Sequence, residues 1–169
     1  MSKPDAILSF PSDSYLPSSK PDIDIVWIEP GFALGSRPYT HQQHAIAQLG
    51  IRVVVALHEP MEGEVEGWQT HGIRLVLVPT RDWVEIPVSN FDRVVAVVSS
   101  CLNTATPILL HCLAGINRAP TLAAAVLCHA RGITVDNALA VINHARVTAK
   151  PTPEQEISLR LWYSLRCKE

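Results

Sequence analysis

From Ile23 onward, apolar residues fall alternately in short compact runs and in longer stretches at helical spacing. Ile25-Val26-Trp27-Ile28 is a β-rich run bounded by Pro30-Gly31. Thr40 to Leu49 reads as a helix stopped by Gly50, a residue suited to the left-handed position after a helix. Ile51 to Leu57, rich in valine, predicts a strand buried on both faces. The same helix-Gly-Ile-Arg-strand unit returns at His71-Gly72-Ile73-Arg74, running into Leu75 to Val78. Two such units predict parallel neighbours in one sheet, not a solenoid.

The second half is mostly helical. Ser89 opens a long helix, with Asp92 three residues on as a capping-box variant. Phe91, Val94, Val95, Val98, Cys101 and Leu102 form its apolar face. Pro107 to His111 is a compact strand, and Ala119 to Arg131 a helix of small apolar residues ending at Gly132. Thr134 to Ala145 follows, with Ala138, Val141, Ile142 and Ala145 inward. Thr152, Pro153 and Gln155 supply an N-cap, an N1 proline and an N3 glutamine for the last helix. These elements predict an α/β fold with a central, mostly parallel sheet of four to five strands flanked by helices.

Composition narrows the class. Residues 1–22 hold four prolines and six serines and read as a flexible arm, leaving 23–169 as a single folded domain. Apolar residues make up 47% of the 169, enough for a continuous core. No apolar run approaches the ~20 residues of a membrane span. A net charge of −2 argues against a nucleic-acid binder working through a broad basic face. The N-terminus lacks a secretory pattern, and cysteines 101, 112, 128 and 167 form no CxxC pair. The expectation is a cytoplasmic protein with reduced thiols. His41 and His44 are a helical turn apart but have no third ligand nearby in sequence, so no metal site is expected.

The candidate chemistry lies in His111-Cys112-Leu113-Ala114-Gly115-Ile116-Asn117-Arg118, between a strand and a helix. A Cys and an Arg six positions apart recur by chance, but His just before and Gly three after make the pattern specific. A loop entering a helix N-terminus can turn consecutive N–H groups into a concavity that binds anions. Leu113, Ala114, Gly115, Ile116 and Asn117 would wrap a tetrahedral phosphate, with Gly115 free to take a positive φ. Arg118 would grip two phosphate oxygens bidentately. Cys112, at the base, would be held as thiolate by the same dipoles. His111 would brace loop carbonyls with a ring nitrogen. A thiolate attacking phosphorus needs a general acid for the leaving oxygen. Asp82, on the loop after Leu75–Val78, fits that role, with Glu85 and Asp92 as rivals.

These residues resemble the cysteine-dependent protein tyrosine phosphatase superfamily, in particular its small dual-specificity branch, whose signature is His-Cys-x2-Gly-x2-Arg followed by Ser or Thr. The similarity extends over roughly residues 24–166. Leu34-Gly35-Ser36-Arg37-Pro38 looks like the family's early segment, and Arg146 through Pro153 like the late one flanking the site. The resemblance implies a phosphocysteine at Cys112, Asp82 as acid and then base, Arg118 as phosphate clamp, and no metal or other cofactor. It implies a phosphorylated protein (on Tyr, Ser or Thr) or another phosphomonoester as substrate. Ala119 departs from the pattern, and Thr121 stands nearby as a substitute hydroxyl. Arg118-Ala119-Pro120 with Arg81-Asp82-Trp83 also resembles plant glucan phosphatases. Loop residues without lysine disfavour polyphosphoinositides. Arg37, Arg81, Trp83 and His58 are candidates for the rim. Two other readings are carried forward: a phosphate-recognising adaptor with slow or absent turnover, and a sulfur- or arsenic-handling enzyme with Cys101 or Cys128 as resolving thiol.

Overall fold

The computed structural model describes residues 22–167; the arm expected over 1–22 falls outside them, save its last residue. Strand β1 (Ile25–Glu29) and β2 (Phe32–Gly35) form a hairpin whose turn needs Gly31 at φ +83°. A 3-10 turn over Thr40–Gln42 leads into α1 (Gln43–Gln48). Then follow β3 (Val53–Ala56), α2 (Glu64–Thr70), β4 (Arg74–Leu77) and α3 (Val88–Asn103). The last elements are β5 (Ile108–His111), α4 (Arg118–Arg131), α5 (Val135–Ala145) and α6 (Pro153–Arg166).

The five strands lie in the order β1-β2-β5-β3-β4. Only β1 is antiparallel; β2, β5, β3 and β4 all run the same way. Alternation along the strands decides the two faces of the sheet. The row Ala33, Leu109, Val54 and Leu75 faces α1 and α2, where Ile46 and Trp68 cover it. The next row, Leu34, Leu110, Val55 and Val76, faces α3 to α6. With helices on both faces, the strands carry apolar residues in both directions, hence their unbroken valine and leucine.

Helix α4 is the spine of the larger layer. Arg118 through Cys128 are all buried, and Ala119, Ala123, Ala124 and Ala125 let the sheet and neighbouring helices approach closely. Because four strands run parallel, the loops after β2, β3, β4 and β5 emerge at one edge. Ligands bind at that edge in open α/β sheets.

Two sequence expectations need correction. Helix α3 starts at Val88, one residue before Ser89, with Pro87 in the cap position and no side-chain cap. Asp92 does not cap it: its carboxylate accepts from Trp162 Nε1 at 2.9 Å and from Arg166, tying α3 to α6. Long-range partners outbid the local motif. Val141 and Ala145 are only half-buried, whereas Ala138 and Ile142 are fully inside. Strand β2 carries no alternation and was not legible as a strand: its four residues are buried on both faces.

Candidate active site

The loop from Cys112 to Asn117 leaves the C-terminal end of β5 and enters α4 at Arg118. Gly115, at φ +66°, makes the turn. Its N–H donates to Cys112 Sγ at 3.2 Å, so the sulfur sits inside the curl, 2% exposed. The α4 N-terminus adds its dipole to the same spot.

Loop carbonyls point the other way and are held from outside. Leu113 O accepts from Arg37 N at 2.9 Å, and Ile116 O from Lys150 N at 2.7 Å. Arg146 donates through Nε to Gly115 O at 2.7 Å and through Nη2 to Ala114 O at 3.1 Å. Thr121 Oγ1 donates to Asn117 O at 2.7 Å and lies 3.4 Å from Gln155 Oε1, so its hydroxyl is engaged with the loop's last carbonyl. His111 Nδ1 lies 3.0 Å from Cys112 O, which identifies Nδ1 as the protonated nitrogen. Complete burial pushes the His111 pKa down to about 3, helped by the charges of His58, Arg37 and Arg118. The ring is therefore a neutral brace.

Arg118 is buried, 7% exposed. Its Nη1 donates to Thr80 O at 3.0 Å and approaches Leu57 O at 3.4 Å, fixing the guanidinium to the ends of β3 and β4. Nη2 lies 3.1 Å from Asp82 Oδ2. Nε is buried with no partner, a donor that an anion in the curl would satisfy. Asp82 thus meets Arg118 from the segment that follows β4. Its Oδ1 also accepts from Trp83 N at 3.0 Å. Trp83 takes φ +61°, a left-handed conformation costing roughly 1–2 kcal/mol for a residue with a side chain. Its indole is 71% exposed beside the site. Glu85 is exposed and Asp92 is committed to α6, so of the three carboxylates Asp82 is the one paired with Arg118.

Among the rim candidates, the Arg37 guanidinium reaches Met61 Sδ, and His58 lies 5.5 Å from His111, ring to ring, and 3.1 Å from Glu64. A cavity of about 520 Å³ adjoins the loop at Leu113, between the segments around Arg37–Gln43 and Met61–Glu64. Cys128 lies ten residues beyond Arg118, about 15 Å along α4 by helical rise, and burial raises its pKa to about 12. Cys101 lies beside Arg74, at the opposite end of the strands, and burial raises it too. Neither is placed as a resolving thiol. No three His, Cys, Asp or Glu side chains gather as a metal-binding group among the described residues. No described helix is long and apolar enough to cross a membrane. The contribution of Arg146 was not assigned from sequence; its only signal was membership of the late segment.

A buried thiol inside a glycine-turned loop, followed by a buried arginine at a helix N-terminus, is the architecture of cysteine-dependent phosphatases. The pattern of the dual specificity phosphatase catalytic domain matches residues 33–164, and the chain belongs to that family. It is 25% identical to mouse dual specificity protein phosphatase 12 over 142 residues, 83% of this chain and 41% of that one. It is 23% identical to Drosophila melanogaster dual specificity protein phosphatase Mpk3 over 128 residues, 75% of this chain and 31% of the other. The chain therefore spans less than half the length of these relatives. Among solved structures, Tk-PTP in its active form superimposes with a TM-score of 0.78 at 22% identity, covering 83% of this chain and 97% of that one.

Proposed function

We propose that residues 23–169 act as a cytoplasmic, metal-independent phosphomonoester hydrolase that works through a phosphocysteine on Cys112. The observation that carries this reading is the buried Arg118 at the end of the loop, paired with Asp82 and with its Nε donor free for an anion. The Cys112 thiolate attacks phosphorus while Asp82 gives its proton to the departing oxygen. Water then attacks the phosphocysteine, Asp82 takes a proton back, and orthophosphate leaves with the thiolate restored. For Asp82 to reach the leaving oxygen, the Arg118–Asp82 pair must open, and a bound phosphate dianion competes directly for that guanidinium. Leu113 to Asn117 supply the N–H donors. The substrate class is a phosphoprotein carrying phosphotyrosine, phosphoserine or phosphothreonine, or another phosphomonoester.

The test is turnover of a small aryl phosphate without added metal. Cys112→Ser and Arg118→Ala should each nearly abolish it. Asp82→Asn should slow esters of poor leaving groups by roughly 10²–10⁴-fold and good ones far less. Wild-type turnover in Cys112→Ser would sink the mechanism. Equal losses for both ester types would remove Asp82 from the acid role. The adaptor reading draws on Ala119, which brings no hydroxyl to the second step. It would show as one stoichiometric release of leaving group followed by near-silence.

A further inference from the structure

We infer that Arg146, held by Asp24, is a positioning residue that sets the anion nest, an inference resting on the phosphatase reading above. A curl can aim its N–H groups inward only if its carbonyls turn outward, and outward carbonyls that leave water need donors of their own. Backbone amides serve Leu113 and Ile116, and Thr121 serves Asn117. The carbonyls at the apex, Ala114 and Gly115, take theirs from one guanidinium. The chain around Gly115 therefore depends on a side chain 31 residues away.

That guanidinium is itself fixed. Nη1 and Nη2 meet the two Asp24 oxygens at 2.8 and 2.6 Å, a bidentate pair. Arg146 is 6% exposed, and its hydrogen bond and charge hold the Asp24 carboxyl below the ordinary carboxylate range, so the pair persists into mild acid. Asp24 precedes β1, and Ser36, just past β2, donates its N–H to Asp24 O at 3.0 Å. The apex of the curl is thus anchored to the first hairpin through Asp24 and Arg146. A lysine could reach one of these acceptors but has no planar fork to hold both carbonyls and the carboxylate at once.

The experiment reads catalysis and anion binding separately. Arg146→Lys should lower kcat/KM for aryl phosphates roughly 10- to 100-fold, a loss of the size that follows at metal sites when a residue orienting a ligand is removed. The loss should be the same for good and poor leaving groups, because every substrate uses the nest; Asp82→Asn behaves otherwise. Vanadate inhibition should weaken in parallel. Asp24→Asn, a change at a half-exposed carboxylate, should move both quantities the same way by a smaller factor, and serves if Arg146→Lys does not fold. Titration of inorganic phosphate into Cys112→Ser, with and without Arg146→Lys, reads the nest without turnover. Weaker phosphate binding supports the inference even if the wild type hydrolyses nothing, an outcome that would sink only the phosphatase reading. An active wild type whose folded Arg146→Lys and Asp24→Asn forms keep full kcat/KM and vanadate affinity overturns it, as does a fall in melting temperature alone.

Discussion

Gly115 meets two demands at once. Its φ of +66° lies where side-chain-bearing residues are strained, and a Cβ there would come within 2.6–2.7 Å of Gly35 and of Arg146 Nη2. The loop therefore packs its outer side against β2 and the guanidinium with no room for a methyl group. Gly115→Ala should destabilise the fold by roughly 1–3 kcal/mol, as overpacking does. It should also weaken phosphate binding, because relief requires moving the carbonyl that Arg146 holds. Urea denaturation and phosphate titration check the two effects. Unchanged phosphate affinity would mean that the curl does not depend on its apex geometry.

At the scale of elements, the segment carrying Asp82 is pinned at both ends. Asn90 on α3 donates to Pro79 O and Thr80 Oγ1, and Ser158 on α6 accepts from Ile86 N in a buried bond of 3.0 Å. Residues 81–85 hang between these anchors, with Trp83 strained in the middle. Ser158→Ala leaves the Ile86 N–H buried without a partner and should cost about 1–3 kcal/mol. If the anchor also aims Asp82, the loss in kcat should be larger for poor leaving groups; equal loss for all esters would limit Ser158 to stability.

Helix boundaries were legible where local chemistry sets them. Gly50, Gly132 and the Thr152–Gln155 capping box mark ends that the structure keeps. The parallel units around β3 and β4 were legible because each repeats the same punctuation. What escaped was set at long range. The four residues of β2 lack a period, since both faces are buried, and Asp92 resembles a cap until Trp162 and Arg166 claim it from α6. The positions of Cys112, Arg118 and Asp82 could be placed from spacing, because strand-end loops share an edge. The bonds of Arg146 could not, because a contact across 31 residues leaves no local pattern.

The whole molecule carries a pH signature. His111 is fully buried in the central strand and keeps its neutral form down to about pH 3. The unfolded chain protonates this histidine near pH 6.5. Its contribution to stability is therefore complete above pH 6.5 and is lost as pH falls from there toward 3, with a limiting slope of about 1.4 kcal/mol per pH unit. Asp24 and Asp92, both held below the ordinary carboxylate pKa by arginines, add their own loss only below about pH 4. Denaturation measured at pH 7, 6, 5 and 4 should show stability falling throughout. His111→Asn should flatten that fall by close to one proton; identical slopes in both proteins would contradict the assignment.

The outward bracing of the loop has a consequence for selectivity among ligands. On the phosphatase reading, the loop carbonyls are already satisfied and only the Arg118–Asp82 pair opens when a phosphate arrives, so the site recognises the group that ester and product share. Orthophosphate is then expected to compete with the ester, and discrimination among esters would fall to whatever they carry beyond phosphorus. The parts able to supply it are the exposed Trp83, Tyr39 and Leu113 and the cavity between Arg37 and Glu64. Exchanging these residues should reorder preferences among esters while leaving inhibition by orthophosphate where it was.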